Sequence, residues 1–293
     1  MTEFFQQVVS GLASGGVYAS LALALVLIHR ATGVINFAQG EMATFTTYIA
    51  WTLYDQGLPF WLMFVVTIAF AFAFGVTLER VVVRQVGRSS VLAIVMVTIG
   101  LLVLLNGGMG WIWGPDFKAF PSPFPNRGID VAGVTVSLQD LGVIGVTIVM
   151  VALLAAFFRF TKLGLALRAA AVNPEASRLV GVRVGWMLGI GWGLAAVLGA
   201  VSGMLVAPTA FLEPNMMQIV IVYAFAAAIL GGINSPVGAV AGGLLLGVAL
   251  NLIGTYADFL GEELRLPVAL GILLAVLLVR PAGLFDRVVV KRV

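Results

Sequence analysis

Between Thr32 and Glu41 the chain reads Thr-Gly-Val-Ile-Asn-Phe-Ala-Gln-Gly-Glu, which places Asn36, Gln39 and Glu41 among two glycines inside an otherwise apolar segment. Strongly polar side chains are expensive in hydrocarbon, so these three belong against a bundle interior or a watery cavity. There a carboxylate such as Glu41 could pair with a cation or hold an ammonium group. The alternative is structural: Asn36 and Gln39 would satisfy backbone groups freed where Gly33 and Gly40 interrupt the helix. A second interruption, Gly231-Gly232-Ile233-Asn234-Ser235-Pro236, presents the same two readings for Asn234 and Ser235. Asn106, at the end of an apolar run, reads as a cap.

The other chemistry-bearing stretch is Thr161 to Gly185, where Lys162, Arg168, Arg178 and Arg183 stand against one acid, Glu175. Asn173-Pro174-Glu175 is a helix start: Asn caps free N–H groups, Pro suits the first helical position, and Glu suits the positive end of the helix dipole. A short basic helix in a loop between spans either orients the protein or docks something. Catalytic chemistry finds no support. The lysines follow Phe117, Thr161 and Val290, so none completes a Gly-Lys-Ser/Thr phosphate loop, and this chain offers no such route to nucleotide hydrolysis. One histidine gives no triad or metal cluster, and with no cysteine there are neither disulfides nor thiolate ligands. No catalytic, metal or cofactor residue is therefore assigned.

The elements that position these residues follow from composition. Of 293 residues 61% are hydrophobic and 10% charged, against about 25% charged in an ordinary soluble domain, and the mean hydropathy is +1.11. The expected fold is all-α, a polytopic membrane helical bundle of about eight or nine segments, two of them broken or re-entrant. The spans predicted are 11–28, 31–54 with its polar interruption, 60–78, 91–105, 138–158, 186–206, 219–230 at two thirds of full length, 237–255 and 267–279. Residues 109–137, rich in proline and tryptophan, read as an interfacial loop, and 208–215 as a polar turn. Asp258, Glu262, Glu263 and Arg265 mark another loop. The first residues lack a basic region and cleavage site, so the first span is expected to be retained.

Alternate loops sort the charges. Arg30, Arg80, Arg84, Arg88, Arg159, Lys162, Arg168, Arg178, Arg183, Arg280, Arg287, Lys291 and Arg292 fall on one side, leaving only Lys118, Arg127 and Arg265 of the 16 basic residues on the other. By the positive-inside rule the first set is cytoplasmic, with the N-terminus outside and the C-terminus inside. The net charge of +3 is then a matter of topology and not a nucleic-acid signal. Gly33, Ile35, Asn36, Gly40 and Ala43 recur at a constant offset of 198, an internal repeat in outline. Paired glycine-interrupted segments in the two halves of a transporter point to a substrate pathway. Gly11 and Gly15, Gly185, Gly189 and Gly193, Gly199 and Gly203, Gly238 and Gly242, and Gly243 and Gly247 have the four-residue spacing of close helix packing.

Five stretches in order carry a family resemblance: Gly16-Val17-Tyr18-Ala19; Thr32 through Gly40; Arg168-Ala169 with Asn173-Pro174-Glu175-Ala176 and Gly181; Ile229-Leu230-Gly231-Gly232 with Gly238-Ala239; and Val279-Arg280-Pro281-Ala282-Gly283-Leu284-Phe285. In these the sequence resembles the permease subunits, H-type, of bacterial branched-chain (hydrophobic) amino acid ATP-binding-cassette importers. The resemblance implies one transmembrane permease domain over 1–293, with a cytoplasmic coupling segment at 161–185. It also implies a second homologous permease of the LivM type, two cytoplasmic ATPase subunits that carry ATP and Mg, and a periplasmic or lipid-anchored substrate-binding protein. Arg168, Asn173, Pro174, Glu175, Arg178 and Gly181 would couple to an ATPase. Asn36, Gln39, Glu41, Gly231, Gly232, Asn234 and Ser235 would line the substrate pathway. One departure is Phe45-Thr46-Thr47-Tyr48, where many relatives have a smaller Gly-Ala-Tyr-like trio. Relatives that move urea, amides or aromatic acids, sugar permeases of the same superfamily, and ion-coupled secondary transporters are the competing classes.

Overall fold

The computed structural model describes residues 2–86, 91–125, 127–131, 134–256, 264–281 and 283–285. Arg88, Asp258, Glu262, Glu263, Ala282, Arg287, Lys291 and Arg292, to which the sequence assigns loop, orientation or motif roles, lie outside them. The helices are α1 (Thr2–Thr32), α2 (Gln39–Asp55), α3 (Phe60–Leu78) with a π-helical turn (Glu79–Val83), α4 (Arg84–Val86), α5 (Val91–Trp113) and α6 (Leu138–Phe160). They continue with α7 (Lys162–Val172), α8 (Pro174–Leu179), α9 (Val184–Ala210), α10 (Gln218–Gly231), α11 (Pro236–Tyr256) and α12 (Arg265–Val279). Among the described residues six helical stretches, 2–32, 60–86, 91–113, 138–160, 184–210 and 236–256, are long and apolar enough to cross a membrane. The protein is an all-α polytopic membrane protein.

Its described residues fall into two compact units, Leu27–Pro123 with Ile148–Val220, and Met1–Val26 with Phe124–Thr147 and Ile221–Val293. In the first, α2 and α3 pack on α9. The helix α3 buries Met63, Thr67, Ala71 and Gly75, one stripe four residues apart, while Trp61, Leu62, Val65 and Val66 stay exposed, as a lipid-facing surface would. Gly75 is required there: a Cβ would lie 2.8 Å from that of Ala196 and 2.9 Å from Cα of Gly193. In the second unit the α1 glycines meet those of α11, where a Cβ on Gly15 would sit 2.9 Å from the Gly243 carbonyl oxygen. The same crossing is tied by Asn251 Nδ2, which donates to the Gln7 carbonyl at 2.7 Å. Gly11, Gly15, Gly243 and Gly247 thus do what their spacing predicts, whereas Gly185 and Gly189 lie against the side chains of Arg84 and Glu79.

Several predicted boundaries move. The fourth span does not close at Asn106-Gly107-Gly108; α5 continues to Trp113 and stops where Gly114 takes a φ of +81°. Glycine weakens a helix by about 1 kcal/mol each, but unpaired backbone groups within a membrane cost several, so the helix runs through them. Residues 109–137 are not all loop, since Gly128–Val131 and Val134–Ser137 form an antiparallel pair, Ile129 opposite Val136. The second span's interruption lies at its start: α2 begins only at Gln39.

Candidate functional site

At the first interruption Gly33 has a φ of +71°, and the chain stays non-helical until α2. Asn36 Oδ1 accepts from the Ala38 N–H at 3.1 Å, and Asn36 Nδ2 donates to Gln39 Oε1 at 3.3 Å. Gln39 Nε2 in turn donates to the Ala195 carbonyl of α9 at 2.9 Å. Both side chains are fully buried. Asn36 thus closes the turn at Ala38, and Gln39 locks the interruption against α9.

Glu41 differs. Its side chain is 3% exposed, and Asn106 Nδ2 approaches Oε2 at 3.4 Å; Gln218 is its second hydrogen-bonding partner. Asn106 is therefore no cap. It lies inside α5 and also donates to the Pro214 carbonyl at 3.3 Å and to Asn215 Oδ1 at 2.9 Å. Gln218 Nε2 donates to the same Asn215 oxygen at 2.8 Å. Gln39 meets α9 at Ala195, about 16 Å from the start of that helix and about 22 Å from its end, and Asn106 lies about 10 Å inside the end of α5, at 1.5 Å per residue. An ionisable group so deep is a functional-site hypothesis by default. The sequence reads Asn106 as a cap and gives Asn215 and Gln218 no role, because Glu41, Asn106 and the 215–218 pair come from three segments far apart in the chain. The available signal was that each is a polar residue at or beside an apolar helix needing a partner.

Further along α2, Phe45 stacks on Phe74 with ring centroids 5.1 Å apart, and Tyr48 stacks on Trp113 at 4.9 Å. Trp113 Nε1 donates to Thr52 Oγ1 at 2.9 Å. The bulkier residues before Tyr48 thus enter an aromatic layer between α2, α3 and α5.

The second interruption belongs to the other unit and is described by itself. Gly232 takes a φ of +105°, and Ser235 Oγ accepts the Gly238 N–H at 3.0 Å, capping α11. Gly231 and Gly232 are buried, while Asn234 is exposed, unlike Asn36. The last carbonyls of α10, which have no partner within the helix, are taken by the chain's own tail: Leu284 N–H donates to Leu230 at 2.8 Å and Phe285 N–H to Gly231 at 3.1 Å. The structure therefore keeps the Asn36-to-Glu41 set together and gives the Gly231-to-Ser235 set its own local scaffold.

In the basic segment, Asn173 Oδ1 accepts from the Ala176 N–H at 3.0 Å, Pro174 opens α8, and Gly181 has a φ of +85°. Arg168, Asn173, Pro174, Glu175, Arg178 and Gly181 are all exposed. Around them Val172, Leu179 and Val180 are 77–89% exposed, an apolar rim on a polar segment. The segment is anchored from below: Leu167 and Ala170 of α7 pack on Val184 and Met187 of α9. Beside it a cavity of about 410 Å³ is lined by Thr32, Glu79, Arg84, Arg178 and Gly185 among others. Arg84 bridges Glu79 at 2.7 Å and also donates to the Gly185 carbonyl.

Membrane-length helices, a buried carboxylate in the first turn of α2 and a capped short helix within a basic segment are those of a multi-pass membrane protein. The chain belongs to the family described as "Branched-chain amino acid transport system / permease component", whose model matches residues 7–279. It is similar to the high-affinity branched-chain amino acid transport system permease protein BraD of Pseudomonas aeruginosa, 32% identical over 99% of this chain and 98% of that one. The permease protein LivH of Escherichia coli K12, of the same description, is 30% identical over the same shares. A probable branched-chain amino acid transport permease protein LivH of Methanocaldococcus jannaschii is 29% identical over 90% of this chain and 87% of that one. Among solved structures, a chain of "PsaBC from Streptococcus pneumoniae in complex with Fab" aligns with 91% of this chain and 89% of its own, at 15% identity and a TM-score of 0.46.

Proposed function

We propose that this chain is a permease subunit of a bacterial ATP-binding-cassette importer, translocating branched-chain and other hydrophobic amino acids delivered by a periplasmic or lipid-anchored binding protein. The single observation that carries the reading is the near full-length match to relatives named as branched-chain amino acid permeases. In this reading the six long helices, with the shorter α2, α10 and α12, make eight or nine membrane segments in the inner membrane. The number depends on whether α10 and α11 form one re-entrant hairpin. The N-terminus faces outward and the C-terminus the cytoplasm. A second, LivM-type permease completes the pathway, bordered by the interruptions at Asn36 to Glu41 and Gly231 to Ser235.

ATP and Mg bind two partner ATPases, whose closure acts on Asn173 through Gly181. The pre-formed α8 and its apolar rim of Leu179 and Val180 support a docking role. Replacing Glu175 and Arg178 together by alanine is expected to leave the complex assembled and hydrolysing ATP while uptake is lost; normal uptake by that variant contradicts the coupling assignment. Substrate class is tested separately by competition. Leucine is expected to displace the transported label, and displacement by ribose or urea in its place would reassign the substrate.

A further inference from the structure

At the Asn106 amide, acceptors outnumber hydrogens. The Asn106 amide carries two hydrogens, yet three acceptors lie on it: Glu41 Oε2, the Pro214 carbonyl and Asn215 Oδ1. The contact to Glu41 is the longest of the three at 3.4 Å, and Asn215 Oδ1 already receives Gln218 Nε2. The partners of Glu41 are thus two neutral amides, Asn106 and Gln218. A charge at this depth stays only if paired or neutralised. The cluster also opens outward, because Asn215 and Gln218 are exposed on the chain while Glu41 is buried. Polar side chains on such a face are not suited to lipid.

Glu41 Oε2, the Pro214 carbonyl and Asn215 Oδ1 all lie on one amide nitrogen, whose two hydrogens cannot serve the three, so a donor with several N–H groups and a single positive charge arriving from the exposed side has acceptors to meet. We propose that Glu41, with the Pro214 carbonyl and Asn215 Oδ1, forms a recognition point for the primary ammonium group of the amino acid in transit. The proposal rests on the reading of the chain as an amino-acid permease. Asn106 is a positioning residue, holding Glu41 and Asn215 on one amide. Gln39 and Asn36 fix the start of α2 so that Glu41 is presented at this level of α9.

The test uses the complete importer in proteoliposomes with its binding protein. Glu41→Gln is close in shape to a protonated glutamate, so a carboxyl that only supports the fold would tolerate it. The expected result is that binding-protein-stimulated ATP hydrolysis persists while leucine uptake falls by about tenfold or more, the equivalent of ~1.4 kcal/mol. Glu41→Asp, which keeps the charge, should retain part of the uptake. Uptake by Glu41→Gln within about twofold of wild type, well under 1 kcal/mol, overturns the proposal. If wild type itself fails to take up leucine with ATP, the amino-acid reading fails instead.

A second arm does not depend on transport. The chain has no cysteine, so Gln218→Cys places a single thiol on this chain beside Glu41. It should react about tenfold faster with a trimethylammonium-ethyl thiosulfonate than with the sulfonatoethyl reagent, a preference expected of a focused negative field. Labelling is read on this chain by mass spectrometry, and the preference should vanish when Glu41→Gln is added. Equal rates, or no reaction with either reagent, would overturn the proposal whether or not Glu41→Gln assembles.

Discussion

Glu79 is 2% exposed, and its carboxylate receives Arg84 Nε at 3.1 Å and Nη2 at 2.7 Å. The two oxygens meet the planar fork of the guanidinium, a geometry lysine cannot reproduce. Removing Arg84 strands a buried charge. Such a loss costs about 3–5 kcal/mol, and the lower end applies here because the Arg84 side chain is 41% exposed. Arg84→Ala is therefore expected to lower the thermal unfolding midpoint of the detergent-purified protein clearly. Adding Glu79→Gln should recover most of the loss, since the charge is then gone; no recovery would contradict the pairing. At this scale the sequence was informative where a residue's partner is local. The Asn173 cap and the Asn36 bond to Ala38 span three residues or fewer, within reach of a motif. The Asn106–Glu41 contact joins residues 65 apart and Asn106–Asn215 joins residues 109 apart. No local pattern encodes those, which is why Asn106 looked like a cap.

Helix packing divides the surface of each element into a face that needs small residues and a face that needs only to be apolar. On α3 the close face is Gly75, against Trp192, Gly193 and Ala196 of α9. Gly75→Leu would force backbones apart or a side chain off its rotamer, typically about 1–3 kcal/mol and occasionally more. The exposed Val65 on the opposite face should accept alanine within about 0.5 kcal/mol. Comparing assembled yield and thermal midpoint of Gly75→Leu and Val65→Ala checks the assignment; equal effects would argue against the α3–α9 seam. These seams were legible because four-residue glycine spacing is a direct statement about backbone approach. Helix ends were less so. Gly107 and Gly108 look like terminators to a reader applying aqueous rules, whereas within a membrane the missing water makes hydrogen-bond continuity the stronger term. The short antiparallel pair Gly128–Val131 and Val134–Ser137 gave too few alternating residues to stand out from a proline-rich loop.

For the molecule as a whole, the proposed reading has ATP-derived work entering through partner chains that act on the exposed rim of α8, and Glu41 giving the transported solute a fixed charge to meet on its way. Fold class and family were readable from composition and five ordered stretches, because the bilayer restricts spanning structure to helices or closed barrels. The energy source was not, since a partner ATPase leaves no motif of its own in this chain. It is decided most directly by leucine uptake into proteoliposomes holding this chain, its partner permease, the ATPases and the binding protein, with and without internal ATP and with and without a protonophore. The account predicts uptake that requires hydrolysable ATP and is unchanged by the protonophore. Uptake that continues without ATP and collapses with the proton gradient would contradict it.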